Sequence, residues 1–226
     1  MYYNLMGNQI QIQIPAAAPM PRTEKILRAL DELYPFDGKC FLDYGEPWQL
    51  LLATILSAQC TDAQVNRVTA ALFSELPALA DVAACPAARL EELVRPAGFF
   101  RRKAAHLKET AAALLARHGG ELPSEIEPLT ALPGVGRKTA NVVRGHIFAI
   151  PSIVVDTHVA RVSRRLGLAT AKDPVAIEFE LMAALPQDSW IRYNQQIITH
   201  GRRFCSARNP KCGPCRLDEC GRKAAD

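Results

Sequence analysis

Residues 47–59, PWQLLLATILSAQ, constrain the fold more than any other stretch of the chain. Leu50, Leu51, Leu52, Ala53, Ile55 and Leu56 cover a helix nearly all round instead of marking one stripe. Such a helix has to be enclosed. It is too short to lie across a bilayer, and no run in the chain approaches the ~18 uninterrupted apolar residues that a membrane span needs. The enclosure must therefore come from the chain itself, and 226 residues with 49% hydrophobic content are enough to supply it. The surrounding segments read as helices. TEKILRALDELY places Ile26, Leu27, Leu30 and Leu33 on one face, with Thr23 as the expected N-cap. Further helices are expected at about 62–75, 87–95, 101–118, 137–149, 157–166, 174–185 and 189–203, with Asp173 capping a helix that starts at Pro174. The only strand-like piece, SIVV at 152–155, is too short and solitary to found a sheet. The fold class is all-α. Residues 1–21 carry no charged side chain, lack the basic start and apolar core of a secretory signal, and read as a disordered extension or an over-long translation start; the QIQIQI alternation could pair as a strand, but a lone exposed strand is disfavoured.

Charge is distributed unevenly. The first 100 residues hold 7 Lys+Arg against 11 Asp+Glu, while residues 101–226 hold 20 against 12, so a net −4 meets a net +8. The second part is either a solvated basic face or a polyanion-binding one. The seven cysteines are uneven too. Cys40, Cys60 and Cys85 stand apart, whereas Cys205, Cys212, Cys215 and Cys220 form a C-x6-C-x2-C-x4-C loop. An odd count without an export signal argues for a reducing compartment and for metal ligation by the last four. Thiolates this close in sequence suit a [4Fe–4S] cluster or a structural zinc.

The stretch LPGVGRKTANVV, from Leu132 to Val143, has the chemistry of a helix–hairpin–helix. PSEIEPLTAL ahead of it reads as a short first helix. Gly134 and Gly136 open the backbone, and the amides at the start of the next helix are unpaired donors suited to a phosphate. Arg137 and Lys138 then stand where the helix dipole disfavours positive charge. A bound anion would offset this for Arg137. For Lys138, helix position and partial burial favour the neutral amine, which is the nucleophilic form; a plain surface lysine is the alternative. In SIVVDTHVARVSRRLG, Asp156 precedes a helix and is expected to cap it, and it also offers a fixed carboxylate to a site opposite.

LPGVGRKTANVV, VDTHVARVSRRLGL, LLATILSAQCTD and the four-cysteine loop together resemble the endonuclease III family, bifunctional DNA glycosylases and abasic-site lyases of the helix–hairpin–helix superfamily. The resemblance runs from about Arg22 to Lys223. It implies a two-lobed all-α fold. Residues 40–149 would form a six-helix barrel ending in the hairpin at about 125–149, and residues 22–39 with 150–226 would form a lobe carrying a [4Fe–4S] cluster on Cys205, Cys212, Cys215 and Cys220. Double-stranded damaged DNA would lie across the cleft between the lobes, with an oxidised or ring-saturated pyrimidine flipped out. Lys138 would attack C1′ and form an imine, assisted by Asp156, and β-elimination would nick the strand. Gln59 and Phe99 would fill the gap left by the flipped nucleotide, though the family commonly has leucine where this chain has Phe99. Gly134, Val135, Gly136, Arg137 and Thr139 would meet backbone phosphate, and His158 the sugar. The last cysteine spacing is one residue shorter than the family pattern. The resemblance further implies a monomer, cytoplasmic and nucleoid-associated in a prokaryote. A monofunctional glycosylase of the same fold, or a non-catalytic DNA-binding module, are the competing readings.

Overall fold

The computed structural model describes residues 21–221. The extension expected at the N-terminus therefore lies almost wholly outside the described residues. Eleven α-helices follow one another among those described. They are α1 (Arg22–Leu33), α2 (Pro47–Leu56), α3 (Asp62–Glu75), α4 (Leu79–Ala84), α5 (Ala87–Val94), α6 (Phe100–His118), α7 (Ile126–Thr130), α8 (Arg137–Phe148), α9 (Thr157–Arg165), α10 (Pro174–Ala184) and α11 (Trp190–Arg203). No strand occurs among the described residues.

Helix α2 is enclosed as its composition requires. Leu50, Leu51, Leu52, Ala53 and Leu56 are fully buried, and α3, α6 and α8 pack around it. Truncating any of these leucines to alanine removes about 2–5 kcal/mol, the usual cost of a core cavity. The helix starts on a capping box, in which Gln49 Oε1 accepts from the amide of Glu46 at 3.1 Å. It ends at Leu56, short of the expected Gln59, because the chain turns sharply through Gln59 at φ 53°.

Apolar side chains gather in two clusters. One draws on residues between Leu42 and Val143, the other on α1 together with Ile153 and residues of α9–α11 and the terminal loop. One correction concerns a local signal. Thr23 lies within the first turn of α1, and the N-cap position is Pro21. The strand-like piece at 152–155 is an extended buried segment held by side chains instead of a neighbouring strand. Asn194 accepts from the Val154 amide at 3.0 Å and donates to Ser152 O at 2.8 Å, while Asn141 donates to Ile153 O at 2.9 Å. Two asparagines thus satisfy backbone groups that a sheet would otherwise have paired. They stitch α8 and α11 to the segment that leads into Asp156.

Candidate active site

Helices α8 and α11 face each other across a cleft of about 620 Å³. Lys138, Asn141, Val142, Gly145 and His146 line it from α8, at helical spacing, and Asn194 and Arg202 line it from α11. The turn before α3 adds Gln59 and Cys60, and the start of α9 adds Asp156 and His158. Four of the sequence-derived candidates, Lys138, Asp156, Gln59 and His158, therefore open on one space. Phe99 and the hairpin residues Gly134, Gly136, Arg137 and Thr139 do not line it.

Asp156 is the N-cap of α9. Its Oδ1 accepts from the amides of His158 and Val159, both at 2.8 Å, and its Oδ2 meets His158 Nδ1 at 3.1 Å. The carboxylate is thereby fixed in direction, and His158 acts on it instead of standing alone in the groove. Lys138 departs from expectation in one respect: it is exposed at the rim of the cleft, not partly buried. Among the described residues it has no ion pair or hydrogen bond. Arg137 holds the nearby carboxylate of Glu178 with a two-pronged grip, Nε to Oε2 and Nη2 to Oε1, both 2.8 Å. Glu178 also accepts from Asn141 Nδ2 at 3.0 Å and is 6% exposed. In this structure the Arg137 charge is met by this buried carboxylate, while its side chain stays 38% exposed.

The hairpin is also more particular than its two glycines suggested. Gly134 has φ 72°, and a Cβ there would lie 2.7 Å from the His106 ring, so glycine is required on both counts. Its predecessor Pro133 and the bond from the Val135 amide to Leu132 O make the turn. Gly136, by contrast, has an ordinary extended backbone, φ −93° and ψ 173°, and a Cβ there would meet nothing within 4 Å. What its missing side chain leaves is open space before the first amides of α8, which no side chain caps. Val135 sends its own side chain into the core, so only its backbone faces that space.

Both expected wedge residues sit on strained backbone. The non-glycine residues with positive φ are Gln59 (53°), Phe99 (47°) and Ala149 (52°) among those described. Ala149 caps the end of α8. Phe99 stands at the N-cap position of α6, without a side-chain cap bond, and Gln59 caps no helix; both are exposed, Phe99 to 66%. Left-handed backbone at such residues costs about 1–2 kcal/mol and is kept where the surroundings enforce it.

Sequence reasoning missed His146, Asn141 and Asn194 as cleft residues. A buried asparagine in an apolar helix face was the available signal, but its acceptors lie far along the chain. Burial pushes the His146 imidazole below its ordinary value of 6.5, which leaves a neutral ring in the cleft wall.

The four C-terminal cysteines line a second, apolar-walled hollow with Val162, Leu166 and Leu217. Arg165 Nη1 reaches Cys205 Sγ at 3.0 Å, and Arg161 Nε donates to Cys205 O at 3.0 Å. Among the described residues, no three His, Cys, Asp or Glu side chains converge closely enough to hold a single metal ion. No helix among the described residues is long and apolar enough to cross a membrane.

A family model for HhH-GPD superfamily base excision DNA repair proteins matches residues 52–187. Endonuclease III of Synechocystis sp. is 48% identical over 202 residues, covering 89% of this chain and 92% of that protein. Endonuclease III of Bacillus subtilis is 40% identical over 199 residues, covering 88% and 90%. Among solved structures, a trapped endonuclease III–DNA covalent intermediate superposes with a TM-score of 0.84 at 39% identity, covering 92% of this chain and all of that one. Identity of this extent, together with the helix–hairpin–helix and the shared cleft, shows that the chain belongs to the endonuclease III family.

Proposed function

We propose that the cleft carries out base excision with strand nicking on double-stranded DNA, with Lys138 as the nucleophile and Asp156 as its electrostatic partner. The observation that carries this reading is the pairing itself: a cation without a partner and a carboxylate of fixed direction, from separate helices, open on one space. The Lys138 amine attacks C1′ of the deoxyribose and the C1′–N bond breaks, the base leaving with the bonding electrons. The attached nitrogen gives up one proton, which balances the departing base, and a second to O4′ as the C1′–O4′ bond breaks, leaving an imine at C1′. Removal of a C2′ proton then expels the 3′ phosphate, and water releases the enzyme. Asp156 stabilises the positive charge that develops on the sugar, and its bonds to two α9 amides keep it from collapsing onto Lys138.

The remaining parts follow from position. Gly136 and the first amides of α8 receive a backbone phosphate. Gln59 and Phe99 fill the space vacated by the flipped nucleotide. The substrates are oxidised or ring-saturated pyrimidines in chromosomal DNA, met by a monomeric cytoplasmic protein. The cysteine loop suits a [4Fe–4S] cluster. The four thiols line one apolar-walled hollow, and an arginine already donates to one sulfur. Cys205, Cys212, Cys215 and Cys220 would hold it, and its contribution when bound is to fix the loop against α9 and α11.

Borohydride trapping on a thymine-glycol duplex tests the assignment. The wild type gives a covalent protein–DNA adduct and Lys138→Ala gives none. Efficient trapping by the variant would remove Lys138 from the nucleophile's role. Base release by the wild type without any adduct would make the protein a monofunctional glycosylase.

A further inference from the structure

Lys103 is a buried cation that the chemistry above does not use. It is 5% exposed, on α6, one turn beyond Phe99. Its Nζ donates to Ala97 O at 2.8 Å, and its own amide donates to Phe99 O at 3.1 Å. Both bonds end on the short stretch that contains Gly98, at φ 71°, and Phe99, at φ 47°. Burying an ammonium is costly, and a methionine or leucine would fill the same volume without that cost. Burial indeed pushes the Lys103 amine below its usual range, and the influence opposing it is the nearby Cys60, which directly follows the other strained residue, Gln59. A lysine is nevertheless kept where the chain makes its left-handed turn and presents an exposed phenyl ring.

We propose that Lys103 is a positioning residue for Phe99, its ammonium fastening the Ala97 carbonyl so that the left-handed Gly98–Phe99 pair holds the ring out toward the DNA stack. This rests on the reading of Phe99 as the wedge. Lys103 touches neither substrate nor reacting atoms, so it governs base displacement and not the imine chemistry.

The test compares wild type, Lys103→Met, Phe99→Ala, the double variant and Lys138→Ala on two substrates. The first is a thymine-glycol duplex with 2-aminopurine beside the lesion, read by single-turnover excision and by the fluorescence rise on base displacement. The second is a single strand with a preformed abasic site, read by borohydride trapping, where no base has to leave a stack. Lys103→Met slows excision and base displacement in the duplex by about tenfold or more, while trapping on the single strand stays at the wild-type rate. Adding it to Phe99→Ala causes no further loss, because coupled residues are non-additive. Thermal melting of Lys103→Met stays within a few degrees of the wild type, since loss of the buried amine's desolvation cost offsets the Ala97 carbonyl left without its partner. The proposal fails if the duplex rate is unchanged, if the two losses multiply, or if melting temperature and both substrates fall together. Lys138→Ala separates this from the chemistry: persistent trapping by that variant would sink the nucleophile assignment and leave the duplex comparison for Lys103 standing.

Discussion

Removing Arg137 should cost more stability than removing Glu178, although the two form one ion pair. The side chain of Glu178 is 8% exposed and that of Arg137 is 38% exposed. Arg137→Ala leaves a buried carboxylate with Asn141 as its remaining donor, the case in which breaking a buried pair costs about 3–5 kcal/mol. Water reaches the site along the path the guanidinium occupied, which favours the lower end, about 3 kcal/mol. At roughly 2–4 °C per kcal/mol for a chain of this size, that is a fall in Tm of about 6–12 °C. Glu178→Ala instead removes the buried charge and frees an arginine that can turn to solvent. Asn141 keeps its bond to Ile153 O. The cost is then a few methylenes and one charged hydrogen-bond set, about 1–2 kcal/mol. Urea denaturation followed by far-UV circular dichroism measures both. If Glu178→Ala proves as damaging as Arg137→Ala, the argument from unequal burial is wrong. A second arm concerns DNA. A phosphate-contacting arginine contributes about one unit to the slope of log affinity against log salt. Arg137 is committed to Glu178, so Arg137→Ala should leave that slope unchanged, and a drop of about one would return it to the phosphate.

Three further outcomes follow from the same geometry. Phe99→Gly should be more stable than Phe99→Ala by about 0.5–1 kcal/mol in denaturation, the reverse of their order in ordinary structure, because only glycine occupies φ 47° without strain; equal stabilities would mean the left-handed backbone is unstrained. Gly136→Ala should fold with unchanged or slightly raised stability, since its backbone is ordinary and a Cβ meets nothing, yet bind DNA at least several-fold more weakly because the methyl group occupies the approach to the α8 amides; unaltered affinity would remove the phosphate from that position. His146, whose folded value is depressed below 6.5, binds its proton more tightly in the unfolded chain. Its contribution is complete above that pH and is lost as pH falls through the folded value. His146→Gln should therefore flatten the loss of stability on acidification, as followed by thermal melts across that range.

What could be read from the chain alone divides by the distance over which each signal acts. Asp173 with Pro174, Asp156 before α9, and the all-round apolar face of α2 carry their instructions within a turn or two, and the structure follows them. Lys138 and Asp156 were visible as candidates because each breaks or completes a local helix rule. That they share a cleft depends on Asn141 and Asn194 pinning the segment between them, through bonds spanning 12 and 40 or more residues. The Arg137 ion pair was out of view for the same reason: its partner lies 41 residues on, and no local pattern names it. The cases of Gln59 and Phe99 are different. Ser57-Ala58-Gln59 follows an uninterrupted apolar helix and by propensity should extend it, yet the chain turns left-handed instead. Nothing local favours a left-handed phenylalanine either. Both departures need tertiary structure to enforce them, and Lys103, buried and bonded just behind Phe99, is such an enforcer. Propensity thus fails at the two residues whose exposed side chains would have to enter DNA, which is where a fold gives up local consistency to hold a working geometry.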